Sequence, residues 1–166
     1  MLVGLLGPDA VADWCAALLL GADPADETAP ELDWLGGASS VSMVAKNLDL
    51  DYWPRVWGAR GLLHAYRPQA APAVVAGLGD RSWRVRELCA KVARAHEVGA
   101  AAEGLHAACA DDVPRVRVAA VRALARVGEA EDADAVRDLL DDPEPDVVAA
   151  AERALRELSR RLDRPL

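Results

Sequence analysis

The chain has 166 residues, 52% hydrophobic and 28% charged, enough for one globular domain with a real core, which excludes a small stapled scaffold. Nineteen Lys and Arg against 27 Asp and Glu give a formal charge of -8 and a pI near 4.9, which argues against an indiscriminate nucleic-acid coat. Aromatics are only 4%, with five Trp and no Phe, and the excess of Ala, Arg, Gly and Val favours closely packed helices over a β-sandwich.

The opening stretch, MLVGLLGPDAVADWCAALLLGA, lacks a basic start and carries Pro8, Asp9 and Asp13 where the apolar run of a secretory leader should continue. It predicts an amphipathic helix near residues 9–20. A loop over GADPADETAPE follows, then a helical piece near residues 38–48. Residues 1–52 therefore read as an N-terminal helical cap and loop, which would cover the apolar end of the repeats that follow. No 18 consecutive residues are apolar, so no membrane span is expected. Cys15, Cys89 and Cys109 are odd in number and unrelated in spacing, which points to a reduced, cytoplasmic protein without a disulfide framework.

From about residue 53 the chain repeats itself. VRELCAKVARAHE, VRVAAVRALARVG and VVAAAERALRELS begin at Val85, Val116 and Val147, an even interval of about 31 residues. A weaker copy, VWGARGLLHAYRP, begins at Val56, two residues short of the same interval before Val85. With each Val as position zero, the apolar or small pattern is offsets 0, 3, 4, 7, 8 and 11, supplied in the third copy by Val116, Ala119, Ala120, Ala123, Leu124 and Val127, one stripe of a helix. Val74 and Leu78, Leu105 and Cys109, and Val136 and Leu140 mark a second helical stretch upstream, so each unit is a helix pair. GLGDRSW, CADDVPR and LLDDPEPD supply the turns, with Pro114 and Pro145 suited to a first helical turn. Asp51, Asp80, Asp111 and Asp142 each lie six residues before offset one, held by Trp57, Arg86, Arg117 and Val148. In the two middle copies Asp80 is thereby matched with Arg86, and Asp111 with Arg117, as rungs of an ion-pair ladder between adjacent repeats. The first copy departs from the pattern, with Arg60 at a buried offset and Trp57 where Arg is usual. The charged ALRELSRRLDRPL reads as a closing helix.

These residues, DDVPRVRVAAVRALARVGEAEDADAVRDLLDDPEPDV above all, resemble HEAT repeats, particularly the short type of about 31 residues found in bacterial HEAT-like proteins, phycobilin lyases among them. The likeness covers roughly residues 53–160. It implies an all-α fold, an α-α superhelix of about four helix-pair repeats, with residues 53–166 as a single continuous solenoid. It also implies that the second helices line a concave face used to contact a partner, and it implies no common chemistry.

Catalytic signals are few: there is no phosphate loop, dinucleotide glycine motif, HExxH or nucleophile elbow. Gly58 and Gly61 read as sites of close packing against the tryptophans. His106 and Cys109 share a helix face, and Cys89 and His96 lie one repeat away, but the second ligand pair of a zinc site is missing. Packing explains both cysteines. No catalytic residue, metal or cofactor is expected, and the acid runs Asp111-Asp112 and Asp141-Asp142 read as helix-capping turns.

Charge is segregated, with a net of -8 over residues 1–52, +6 over 53–94 and -6 over 95–166. Lys91, Arg122 and Arg153 fall at offset six, Arg94 and Arg156 at nine and Arg126 at ten, facing away from the apolar stripe. Registration across repeats should stack them into a basic column. Trp53, Trp57 and Trp83 cluster near the first two second helices, either as core filling or as an aromatic anchor for a partner. The expected function is a non-enzymatic cytoplasmic scaffold or adaptor that binds another protein on its concave face, an acidic segment being one form that ligand could take. The alternatives are a nucleic-acid-binding protein like the DNA-alkylation-repeat glycosylases, which overall charge disfavours, and a lyase-type enzyme subunit, supported by fold analogy alone.

Overall fold

The computed structural model describes residues 6–24, 26, 30–37, 40 and 50–165. Among them are nine α-helices and no strand: α1 Pro8–Leu19, α2 Asp33–Gly36, α3 Trp53–Ala65, α4 Ala71–Gly77, α5 Trp83–Ala95, α6 Ala102–Ala108, α7 Pro114–Val127, α8 Ala133–Asp138 and α9 Pro145–Arg161. The fold is an all-α helix-pair solenoid. The helical piece expected over residues 38–48 lies, Ser40 apart, outside the described residues. The short α2 falls between the expected loop, which ends at Glu31, and the expected helical piece.

The second helices α3, α5, α7 and α9 pack one on the next, and α4, α6 and α8 lie behind them as the first helices of their pairs. Each first helix is short and is entered through a single 3-10 turn, at Pro68–Ala70, Gly99–Ala101 and Ala130–Asp132, equivalent positions of successive repeats. Pro114 and Pro145 open α7 and α9, where a missing N–H has no intrahelical acceptor to disappoint. Five of the six offsets read from sequence are buried in α7, Val116, Ala119, Ala120, Ala123 and Leu124; the sixth, Val127, is half-buried, and Val121 and Ala125 beside the stripe are buried as well. One apolar cluster runs from Val11 in α1 to Ala154 in α9.

A ladder of ion pairs ties successive turns together. Arg86 Nε and Nη2 donate to Asp111 Oδ2 and Oδ1 at 2.6 and 2.9 Å, and Arg117 does the same to Asp142 at 2.7 and 2.9 Å. The remaining Nη1 of each donates to the backbone carbonyl of its own turn, Asp80 for Arg86 and Asp111 for Arg117, both at 2.8 Å. The expected rungs therefore exist between adjacent repeats, but the carboxylate is that of the following turn, 25 residues on. The Asp six residues before each Arg supplies its carbonyl instead. Asp80, Asp111 and Asp142 also accept the N–H two residues ahead, from Ser82, Val113 and Glu144, at 2.7 to 2.9 Å, which fixes the chain entering each second helix.

The ladder also corrects the register of the first copy. Arg55 Nε donates to Asp80 Oδ2 at 2.7 Å, so Arg55, Arg86 and Arg117 are equivalent, each one full repeat from the next. The first repeat thus starts at the buried Pro54, two residues before Val56, and the period is constant throughout. In this register Arg60 moves from a buried offset to offset six, and it is exposed.

Gly58 now aligns with Cys89, Ala120 and Ala151, a position that is small in every repeat. A Cβ on Gly58 would stand 2.5 Å from the Cys15 carbonyl oxygen and 3.0 Å from the Leu19 nitrogen, and one on Gly61 would strike the Cys15 sulfur. The glycine pair therefore seats α1 on α3, and its close neighbours are not the tryptophans that the sequence suggests. Gly58→Ala should destabilise by about 1–3 kcal/mol, because the clash is with backbone that cannot swing away. A glycine in an open helix would show the opposite sign, gaining about 0.5–1 kcal/mol on the same change. Urea unfolding distinguishes the two, and a more stable Gly58→Ala would mean that α1 stands farther from α3.

Candidate functional site

The face of the second-helix layer turned away from α4, α6 and α8 carries the side chains not used by the core. A depression of about 580 Å³ lies between α5, α7 and the start of α9; Lys91, Arg94, Arg115 and Arg122 line it beside apolar Val118, with the acids Glu87, Glu144 and Asp146 also at its walls. The repeat explains the lining. Residues at offsets two and six lie one helical turn apart, so Glu87 and Lys91 of α5 face Val118 and Arg122 of α7 across the groove.

Lys91, Arg94, Arg122, Arg126, Arg153 and Arg156 are all exposed. The groove gathers Lys91, Arg94 and Arg122; Arg126 joins Lys91 and Arg94 in an adjoining shallow depression, and Arg153 and Arg156 line another on α9. They differ in how far their charge is already answered. Lys91 Nζ donates to Glu87 Oε1 at 2.9 Å, Arg126 pairs with Glu97 at 2.7 Å and Glu157 at 3.5 Å, and Arg156 lies 3.9 Å from Glu152. Arg94, Arg122 and Arg153 make no hydrogen bond or ion pair among the described residues, nor does Arg60.

Glu87 escaped the sequence reading. It is a buried acid at a position where the other three repeats have Val56, Val118 and Ala149, and it accepts from both Lys91 and Arg115. One acid in an otherwise apolar column of the repeat alignment was the available signal. Arg115 in turn stands over the Trp83 ring at 5.3 Å, with Arg84 over the same ring at 4.5 Å and 5.8 Å from the centre of Tyr52. These cation–π contacts hold the arginines against the N-terminal ends of α5 and α7.

The three tryptophans part company. Trp57, 6% exposed, packs with Trp14, Leu18 and Leu32 in a second apolar cluster, so its ring fills the interior and offers no surface to a partner. Trp53 stacks on it at 5.8 Å and is half-buried. Trp83 is half-buried beneath its arginines at the edge of the groove.

No group of three or more His, Cys, Asp and Glu among the described residues is placed to hold a metal ion. His106 Nδ1 lies 3.2 Å from Asp132 on the surface, and His96 stacks on Tyr66, with Nε2 3.2 Å from the Leu63 carbonyl. Cys15, Cys89 and Cys109 are free and buried. Burial pushes the Cys15 thiol up to about 12; burial, then the Asp132 charge, does the same for Cys109; and burial, then the Asp80 charge, raises Cys89 as well. All three stay protonated at neutral pH and pack as small apolar groups. No helix of the described residues is long and apolar enough to cross a membrane.

Comparison with curated proteins gave no match. A family model described as HEAT repeats matches residues 71–156, from α4 into α9 and just over half of the 166 residues. With helix pairs recurring at a constant period, second helices stacked in one layer and an Asp–Arg ladder joining the turns, the chain belongs to the HEAT repeat family.

Proposed function

We propose that the chain is a non-enzymatic binding module, a scaffold or adaptor that receives an acidic segment of a partner protein on its second-helix face. The observation that carries this reading is the groove of about 580 Å³ in which Arg94 and Arg122 stand exposed without an internal partner among the described residues, beside apolar Val118 and Ala119. A cation left unanswered in a concave site with apolar walls attracts a carboxylate more than one on a convex surface, because the walls exclude part of the screening water. The overall charge of -8 supports a protein ligand over a nucleic acid, since a duplex would meet repulsion from the flanking acidic segments. The three buried thiols, none in a disulfide, support a reduced compartment, the cytoplasm.

A labelled Glu- and Asp-rich peptide and a labelled DNA duplex, titrated with the full chain and followed by fluorescence anisotropy, test the reading. The peptide should bind and weaken as salt rises. The triple change Lys91→Glu, Arg122→Glu and Arg153→Glu should abolish that binding while circular dichroism stays helical, because all three side chains are outside the core. Unchanged affinity in the triple variant would put the interface elsewhere, and tighter binding of the duplex with a steep salt slope would replace the protein ligand by nucleic acid.

A further inference from the structure

The corrected register makes the basic column longer and more regular than three residues. Arg60, Lys91, Arg122 and Arg153 stand at one offset of four consecutive second helices, each one full repeat from the next, and all four are exposed. The placement of Arg60 rests on an independent contact, since Arg55 reaches Asp80 just as Arg86 reaches Asp111. Because α3, α5, α7 and α9 pack in sequence, side chains at one offset are separated by one interhelical spacing, about 8–10 Å.

That spacing has a counterpart in an extended polypeptide. Such a chain advances about 3.1–3.4 Å per residue, so three residues cover about 9–10 Å, one rung of the column. In the polyproline II conformation three residues also complete one turn, which returns every third side chain to the same side. We propose that the ligand of this face is an extended segment with an acidic residue at every third position, lying across the four second helices with one carboxylate against each of Arg60, Lys91, Arg122 and Arg153. This inference rests on the reading that the face binds an acidic protein segment.

Glu87 sets the strength of the second rung. It already answers Lys91 at 2.9 Å and Arg115 at 3.3 Å, while its equivalents Val56, Val118 and Ala149 leave the other rungs without an internal acid at that offset. A ligand carboxylate at Lys91 therefore competes with Glu87, and those at Arg122 and Arg153 do not. Glu87 acts as a specificity-determining residue that makes the second acidic position of the ligand the least demanding.

The test uses labelled peptides of one composition with Glu at every third position, at every second position or in one block, titrated with the full chain and with Arg122→Glu, Arg122→Gln and Glu87→Gln. The every-third peptide should bind tightest. Arg122→Glu should weaken it about three- to tenfold and Arg122→Gln less, in keeping with exposed ion pairs, without loss of helicity. Glu87→Gln should tighten binding of the every-third peptide and widen the difference between that peptide and one with Gln at its second acidic position, because Lys91 is then free to answer the ligand. Equal affinity for all three spacings, with the triple charge reversal still abolishing binding, would overturn the register while leaving the acidic-segment reading intact. Failure of every acidic peptide to bind would overturn both. A concentration-dependent dimer dissolved by salt and by Arg122→Glu would also overturn a foreign ligand in favour of a second copy, whose first 52 residues carry a net charge of -8.

Discussion

Asp142→Ala should cost the fold about 3–5 kcal/mol in urea unfolding, far more than a surface substitution, because it strands the Arg117 guanidinium in a place with little water. The side chains of Arg117 and Asp142 are only 11% and 4% exposed, and the arginine would keep a single hydrogen bond, to the Asp111 carbonyl, with the Asp111 and Glu144 charges acting from farther off. The double variant Arg117→Met with Asp142→Ala should recover part of the loss, since a buried pair replaced by apolar groups is often near neutral. An Asp142→Ala protein within about 0.5 kcal/mol of the parent would mean that the rung is solvated.

The same rungs predict an acid limit. The hydrogen bond from Arg117 outweighs burial and, with the Glu144 N–H and the Arg117 charge, holds the Asp142 carboxyl below its ordinary value of 3.8. At Asp111 burial is the largest influence and pushes upward, but the Arg86 and Val113 hydrogen bonds and the charges of Arg86 and Arg117 together hold it below the ordinary value too. A carboxylate whose folded pKa is depressed stabilises the fold fully above its unfolded pKa and loses that contribution as pH falls through the folded one. Thermal stability should therefore be level from neutrality down to about pH 4 as far as these groups are concerned, and fall below it. Arg86 and Arg117, both pushed up by their Asp hydrogen bonds, stay charged throughout. Asp111→Asn should flatten the acid limb; an unchanged limb would assign it to other carboxylates.

What was legible in the sequence was whatever recurs. Three copies led by Val85, Val116 and Val147 determine a helix face without ambiguity, since five offsets are apolar or small in all three and the sixth in two. The first copy was misplaced by two residues because its apolar Val56 and Trp57 imitate the start of the pattern, whereas the true first position is Pro54, apolar but not Val. Only the long-range bond from Arg55 to Asp80 reveals the phase. The ladder partners were misjudged for a related reason. Spacing along a chain says which residues share a turn, but a long arginine at the start of a helix reaches sideways to the next turn, a direction that spacing does not encode. Gly58 and Gly61 meet α1, far upstream in the chain, which no local pattern could disclose. Of the four cations in the basic column only three are placed by the sequence pattern, and Glu87, the acid that tempers it, shows in the sequence only as one acid in an apolar column, while its convergence with Lys91 and Arg115 is a matter of the fold.

Leu124→Ala should destabilise the protein by about 2–5 kcal/mol, and Arg126→Ala, two residues along the same helix, by far less. Leu124 is fully buried in α7, between the repeats that carry α5 and α9. Truncation leaves a cavity inside the apolar cluster that runs through all the repeats, and the loss combines the transfer of the removed methyl groups with the cost of that cavity. Arg126 pairs with Glu97 and Glu157 on the surface, contacts that salt screens and that are worth about 0–1 kcal/mol. Because a solenoid is held together by contacts between nearest neighbours, the Leu124→Ala loss should also broaden the urea transition by weakening the coupling of the repeats on either side of α7. Equal losses for the two variants would put the wrong face of α7 in the core, and with it the wrong face of every second helix against the ligand.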